Sequence, residues 1–408
     1  MDLPARSIAL TTGGGDAPGL NAVIRAVVLA AGRLGWECYG IRDGFNGLLA
    51  PEQCLGEPVV PLTAHAVHGI AHLGGTILGS TNRGNPLRFP VRQEDGSLAE
   101  QDRTTELVAL CRRYGFDALV AIGGDGSMEI ADCLQRRGLP MVGVPKTIDN
   151  DLDHTIQTFG FDSAVGFATE CIDRLHSTAC SQHRVMVVEV MGRYAGWIAL
   201  HAGMAAGAHA ILLPEIAFDI DTVAAAIARR DASGHRHAIV VVAEGAQPAG
   251  GARSVQAAAG IGHAERLGGI GAWVVQQLAE RSAKDCRAVV LGHLLRGGSP
   301  SAFDRIVAAR FGAAAVRALA RGESGIMVTL AEHGIGTVPL AQVAGRSRRV
   351  ALDGDTVRTA LELGICLGQD EGAIGSGMPA LAPKRGITAQ AHTAPAPGPG
   401  QAGSAAAG

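Results

Sequence analysis

The sequence predicts an α/β protein of two lobes, each a mainly parallel sheet covered by helices, with its site in the cleft at the strand carboxyl ends. Three observations predict it. Short runs that are apolar along their whole length, such as Val185–Val190, alternate with helical segments, the pattern of strands buried on both faces. The 57 glycines fall at the ends of those runs and not at a fixed repeat. Chemistry-bearing residues follow the same ends, where folds of this Rossmann-like kind bind their ligands. With 408 residues and 47% hydrophobic content, the chain can bury a core large enough for two lobes.

The elements follow in order. Ser7–Thr12 reads as a strand, Gly13–Gly19 as the turn after it, and Leu20 to Gly32 as a helix. The segment from Asn82 to Asp102, polar with two prolines, reads as a surface loop. Ala118–Ile122 and Met141–Val144 are buried strands, ending in Gly123-Gly124-Asp125-Gly126-Ser127 and in Pro145-Lys146-Thr147. Val185–Val190 ends in Met191-Gly192-Arg193 and a helix through about Ala206. Ile239–Val242 ends in Ala243-Glu244-Gly245, and Ala288–Leu291 ends in a turn holding His293 and Arg296. Beyond about Pro379 the chain is Ala, Pro, Gly, Gln and Ser with few bulky apolar side chains, so residues 379–408 are expected to be a disordered tail.

Composition excludes several classes. A net charge of -3 leaves no basic footprint for nucleic acid and no polybasic membrane patch. Eight scattered cysteines without a C-x-x-C pair argue against a disulfide framework or a zinc site. No leader-like segment opens the chain and no apolar run is long enough to span a bilayer, so a cytoplasmic protein is expected.

The loop Lys146–Asp153 (KTIDNDLD) is the richest in chemistry. One lysine, one threonine and carboxylates at Asp149, Asp151 and Asp153 share a strand end, so Lys146 can hold an anion while a carboxylate takes a proton. An Asx-turn or helix-capping loop is an equally good account of that pattern. A calcium loop is not, because His154 stands where the tight-turn glycine belongs and Gly160 where the bidentate glutamate belongs. Gly13–Gly19 before a helix is a phosphate-loop type or simply a tight turn. In Gly124–Ser127, Asp125 is well placed to hold Mg²⁺, with an N-cap role as the alternative. Met191-Gly192-Arg193, Glu244, His293 and Arg296 put cations and an acceptor at further strand ends, which suits a phosphorylated sugar.

Seven segments, GGGDAPGLNAVIR, GGTILGS, AIGGDGS, PKTIDND, HRVMVVEVMGRYAG, VVAEGA and LGHLLRGGSPSAFDR, closely resemble those of bacterial-type 6-phosphofructokinases, in family order from about Ser7 to Asp370. The resemblance implies transfer of a phosphoryl group from ATP to the 1-hydroxyl of fructose 6-phosphate, with Mg²⁺ as cofactor. It places Gly15, Arg83, Gly84, Gly124, Asp125, Gly126 and Ser127 at the donor, with Asp125 on the metal. It makes Asp149 the general base, flanked by Thr147 and Asp151, with Lys146 and Arg193 aiding transfer. Met191, Gly192, Arg193, Glu244, His293 and Arg296 would hold the sugar phosphate, with Thr147 and Asp149 at its reacting end. Arg184 and Arg287 resemble the pair that reaches the 6-phosphate from a neighbouring subunit, implying a homodimer or homotetramer.

In the same family terms, residues 1–160 with about 295–345 would form the donor lobe, and 161–294 with about 346–378 the sugar lobe. Pyrophosphate-dependent members carry aspartate where this chain has Gly126, and lysine where the best-known ATP enzymes have glycine; here Gly126 stands with Lys146. A carboxylate at 126 would occupy the space of a nucleotide α-phosphate, so Gly126 favours ATP and a pyrophosphate- or ADP-using enzyme is the alternative. His176, His209, His235, Arg236 and Leu29 stand where allosteric members carry charged effector ligands, Arg25 being retained, so a weak ADP or phosphoenolpyruvate response is expected. Phe45 and Ile130 differ from residues around the nucleotide and leave base preference open. A kinase of the NAD or diacylglycerol type would leave PKTIDND, MGR and HLLRGG unexplained. A non-catalytic sugar-phosphate sensor would have lost Asp125 or Asp149, and both are present.

Overall fold

A computed structural model describes residues 6–374 except 259 and 262–264. The tail expected at 379–408 and the last residues of the expected sugar lobe lie outside the described residues. The strands, in chain order, are β1 (Ser7–Thr12), β2 (Glu37–Ile41), β3 (Val59–Pro61), β4 (Phe89–Arg92), β5 (Leu98–Gln101), β6 (Ala118–Gly123), β7 (Met141–Pro145) and β8 (Val185–Val190). They continue as β9 (Ala210–Leu212), β10 (Ala238–Ala243), β11 (Val255–Ala257), β12 (Arg266–Leu267), β13 (Cys286–Val290), β14 (Ile326–Ala331) and β15 (Gly334–Pro339).

Two sheets organise the molecule. The larger has seven strands in the order β15-β14-β7-β6-β1-β2-β3, and the smaller has four in the order β13-β8-β10-β9. The smaller sheet is parallel throughout. The larger is parallel except at its two edges, where β15 and β3 run antiparallel to their neighbours. Alternate residues of β1 and β6 show why these strands are apolar on both faces. Ile8, Leu10, Val120 and Ile122 pack under the helices Leu20–Gly32 and Ala302–Ala320, while Ala9, Leu119 and Ala121 pack with Leu107 and Met128 of the helices on the other side. The inner strands of the smaller sheet, β8 and β10, are likewise covered on both faces, by clusters that hold Val188 and Ile239 on one side and Val187 and Val240 on the other.

Two segments differ from the pattern the sequence predicts. The segment 82–102 is not a loop throughout: β4 and β5 form an antiparallel hairpin, and Phe89 is buried under it. Its polar residues face outward while one aromatic side chain anchors the ribbon, and a count of polar residues hides that. The run Ala288–Leu291 belongs to a strand that begins earlier, at Cys286, and it is an edge strand whose Ala288 and Val290 are exposed, not covered on both faces.

Candidate active site

The loop after β7 is held from within by its own side chains. Thr147 Oγ1 accepts the Asp149 N–H at 3.1 Å, and the same hydroxyl favours the ionised form of the Asp151 carboxylate. Asn150 adopts a φ of 51° and its Oδ1 accepts the Thr158 N–H at 3.1 Å, while Thr158 Oγ1 donates to the Thr147 carbonyl at 2.7 Å. The turn reading of this loop and the chemical one therefore hold together, since the turn presents the carboxylates. Asp149 Oδ1 is enclosed and has no hydrogen-bond partner. Burial pushes the Asp149 carboxyl up; Arg296 opposes this, Glu244 adds to it, and Arg193 and Lys146 oppose it further. Burial, then the charges of Asp149 and Asp125, push Asp151 up to about 7.

Lys146 is almost wholly buried, and its Nζ donates to the Gly15 carbonyl. Burial pulls its ammonium down to about 8, with the Arg296 charge acting the same way and Asp16, Asp149 and Asp151 opposing. Arg296 Nη1 donates to the Asp16 carbonyl at 3.0 Å. A Cβ at Gly15 would start 2.7 Å from that same nitrogen, so a side chain there would have to push the Arg296 guanidinium aside. The glycine-rich turn after β1 thus rests on two cations, one from β7 and one from the turn Gly292–Arg296.

On the donor side Asp125 is exposed as the first residue of the helix Asp125–Arg136. Its charge reaches Asp151. Carboxylate oxygens of this kind fit Mg²⁺, which takes one or two carboxylates and fills its shell with phosphate oxygens and water. Ser127 Oγ turns inward, so that a Cβ on Gly13 would meet it at 2.7 Å. A Cβ on Gly126 would meet nothing within 4 Å. Arg83 is exposed and its N–H donates to Thr81 Oγ1 at 2.9 Å, while Gly84 beside it is buried.

On the other side the loops after β8 and β10 are zipped together. The Gly245 N–H donates to the Gly192 carbonyl at 3.0 Å, and the Glu244 N–H to the Val190 carbonyl at 2.9 Å. Gly192 has a φ of 144°, open to glycine and strained for other residues. Met191 is buried beneath this turn, Arg193 is half-buried, and His293 is exposed. Burial raises the Glu244 carboxyl, and Arg193 is the largest influence the other way.

The structure therefore brings Lys146, Asp149, Asp151, Asp125, Arg193, Glu244 and Arg296 into one electrostatic neighbourhood. It does not bring Arg184 and Arg287 there. They stand at the amino ends of β8 and β13 and share Asp285, at 2.6 and 3.0 Å.

A family model described as phosphofructokinase matches residues 7–319. The chain belongs to the phosphofructokinase family. It is 52% identical over 363 residues to an ATP-dependent 6-phosphofructokinase of Chloroflexus aurantiacus, covering 89% of this chain and 98% of that protein. It is 47% identical over 349 residues to a pyrophosphate–fructose 6-phosphate 1-phosphotransferase of Amycolatopsis mediterranei, covering 85% of this chain and 96% of the relative. Phosphofructokinase from Saccharomyces cerevisiae superposes with a TM-score of 0.70 at 30% identity, covering 88% of this chain. The chain spans 47% of the length of that yeast chain.

Three residues of the site neighbourhood were not among the sequence candidates. Asp16 lies in the glycine-rich turn and opposes the shift of Lys146. Glu189, buried within β8, accepts the Gly271 N–H at 2.8 Å and the Gly269 N–H at 3.2 Å at the start of the helix Ile270–Arg281. A carboxylate inside an apolar strand was a readable signal for it. Arg348 bonds to the Asp149 loop from a remote segment, and nothing local in the sequence announces that.

Proposed function

We propose that this member of the family is an ATP-dependent 6-phosphofructokinase, transferring the terminal phosphoryl group of ATP to the 1-hydroxyl of fructose 6-phosphate to give fructose 1,6-bisphosphate and ADP. The observation that carries the reading is Asp149. A carboxylate with one enclosed, partnerless oxygen lies in the field of three cations, Arg296, Arg193 and Lys146, between the donor and sugar loops. Its raised pKa suits a general base, because proton affinity grows as the ionised form loses solvation. In this reading Asp149 accepts the proton of the 1-hydroxyl, and Thr147 holds the loop so that the carboxylate faces the acceptor. Lys146 and Arg296, anchored on the glycine-rich turn, offset negative charge as the phosphoryl group passes. Asp125 would hold Mg²⁺, with Asp151 close behind, and the ion would neutralise donor phosphate charge when bound.

Met191, Gly192, Arg193, Glu244, His293 and Arg296 form the sugar-phosphate side in this reading. Arg184 and Arg287 serve the site of a neighbouring subunit in a homodimer or homotetramer. The six residues of β8 separate Arg184 from Met191, a span of about 20 Å at the usual rise, so these arginines cannot turn back into their own cleft. The open space beside Gly126 favours a nucleotide donor. The second reading, pyrophosphate as donor, is favoured by Lys146 and by the 47% identity to the Amycolatopsis enzyme. The reading also divides the chain as the family does, with the donor side on the larger sheet and the sugar side on the smaller, in a cytoplasmic enzyme. No helix among the described residues is long and apolar enough to cross a membrane.

Regulation by anionic effectors is weak in this reading. His176, His209 and His237 stack edge to face with centroids 5.7–6.1 Å apart. Burial holds His209 down at about 3, so this ring is neutral near pH 7 at a place where allosteric members carry a charged effector ligand.

Side-by-side steady-state assays with ATP, ADP and pyrophosphate test the donor, and faster turnover with pyrophosphate would overturn it. Asp149→Ser tests the base: sugar affinity is kept while kcat falls by about 10²–10⁴. Near-normal turnover in that variant removes the assignment.

A further inference from the structure

We infer that Arg348 is a positioning residue for phosphoryl transfer, a strut that sets the catalytic-base loop against the sugar-phosphate loop. The inference rests on the roles proposed above for Asp149 and Met191–Arg193. Arg348 lies on the segment that links the antiparallel edge of the larger sheet to the helix Asp355–Glu362, whose apolar face packs with the smaller sheet. Its guanidinium reaches three backbone carbonyls of the loop that carries Asp149. Nη2 and Nε donate to the Asn150 carbonyl at 2.9 and 3.2 Å, and Nη1 donates to those of Thr155 and Ile156 at 2.8 and 3.1 Å. The Arg348 N–H donates to the Asp151 carbonyl at 2.7 Å, beside an antiparallel bridge between Leu152 and Ser347.

The same residue is held on the sugar side. Trp197 follows Met191–Gly196 directly and opens the next helix; its Nε1–H donates to the Arg348 carbonyl at 3.2 Å, and its ring lies under the guanidinium with 5.0 Å to the centroid. Two residues on, the Val350 N–H donates to Glu215 at 2.9 Å, and the same carboxylate accepts the Gly196 N–H at 3.1 Å. Five donor groups of one short segment, four of them on Arg348, thus join the turn bearing Asp149 to the turn bearing Arg193.

Asn150, next to the base, sits at a φ of 51°, in the left-handed region, and its carbonyl takes two of the guanidinium bonds. Without them that conformation has less to hold it, and Asp149 is displaced relative to the acceptor hydroxyl. A planar fork with donors in fixed directions can span Asn150, Thr155 and Ile156 at once, whereas an ammonium cannot. Arg348 is a positioning residue because it touches the loop and not the reactants.

The test uses the full-length chain and the variants Arg348→Ala and Arg348→Lys. Loss of position costs about 100-fold in kcat for a displacement on the scale of an ångström, with the KM for each substrate little changed. Guanidinium chloride at sub-denaturing concentration is expected to restore much of kcat to Arg348→Ala, while sodium chloride does not. Arg348→Lys, which keeps the charge and stem over Trp197, is expected to melt near the wild type and to remain slow without rescue. Wild-type kcat in Arg348→Ala, or a loss that guanidinium leaves untouched, overturns the inference; so does full activity in Arg348→Lys. A wild-type protein with no sugar-phosphate kinase activity would instead remove the functional reading on which the strut depends.

Discussion

Replacing Gly126 with aspartate would put a carboxylate into space that the fold leaves open beside the donor loop. The change is sterically free, since a Cβ there meets no atom within 4 Å. It also suits the local backbone: position 126 is in the first turn of the helix Asp125–Arg136, where a residue other than glycine gains about 0.5 kcal/mol of propensity and an acidic one a further ~0.3–1 kcal/mol from the helix dipole. The cost falls on a nucleotide donor alone. Two like charges about 5 Å apart at an effective dielectric near 20 repel by about 3 kcal/mol, or roughly two decades in kcat/KM. The expected result is a fall of about 100-fold in kcat/KM for ATP, unchanged or improved use of pyrophosphate, and a melting temperature equal to or above that of the parent protein. Coupled assays with each donor, alongside thermal melts, read all three quantities. Undiminished ATP turnover in Gly126→Asp would refute the reasoning, because it would mean that the open space beside residue 126 is not where the donor's inner phosphate lies.

Two further predictions concern protons. The Asp151 carboxyl is raised from 3.8 to about 7 in the fold, so the folded state holds more protons than the unfolded one between those values, and stability falls as pH rises through that window. In the absence of nucleotide and metal, Asp151→Asn should therefore gain on the order of 4 kcal/mol at pH 8 and nothing near pH 4, read from denaturant melts at the two pH values. His209 behaves oppositely: its imidazole is lowered from 6.5 to about 3, so its contribution to stability is full above 6.5 and is lost as pH falls below that value. His209→Asn keeps an acceptor for the Ile239 N–H, which now donates to Nδ1 at 2.8 Å, and should flatten the decline in melting temperature between neutral and acidic pH. An unaltered slope would show that the ring is not the group responsible.

Much of the site was legible because parallel α/β folds convert a local pattern into a location. A buried apolar run must be a covered strand, and whatever follows it stands at a carboxyl end. β1, β6, β7, β8 and β10 were readable to within a residue or so at each end, as was the helix Leu20–Gly32, because their patterns are continuous and glycine or proline closes them. The hairpin β4–β5 and the antiparallel edges β3 and β15 were not, since an edge strand keeps a solvated side and its composition resembles that of a loop.

Residue identity along the chain determined which chemistry was present: a lysine and carboxylates after β7, Asp125 among glycines after β6, and cations after β8 and β13. Only the tertiary structure decided their state and their support. Lys146 is pulled down to about 8 and Asp151 pushed up to about 7 because both are enclosed with their neighbours' charges, and enclosure is a property of packing and not of spacing. Arg348 illustrates the limit most clearly. In the sequence Arg346, Arg348 and Arg349 form a short basic run typical of a solvated face. In the fold the guanidinium of Arg348 reaches carbonyls almost two hundred positions away, because two sheets built from interleaved segments close on each other there. Backbone carbonyls carry no sequence signature, so a partner of that kind can be found only in three dimensions.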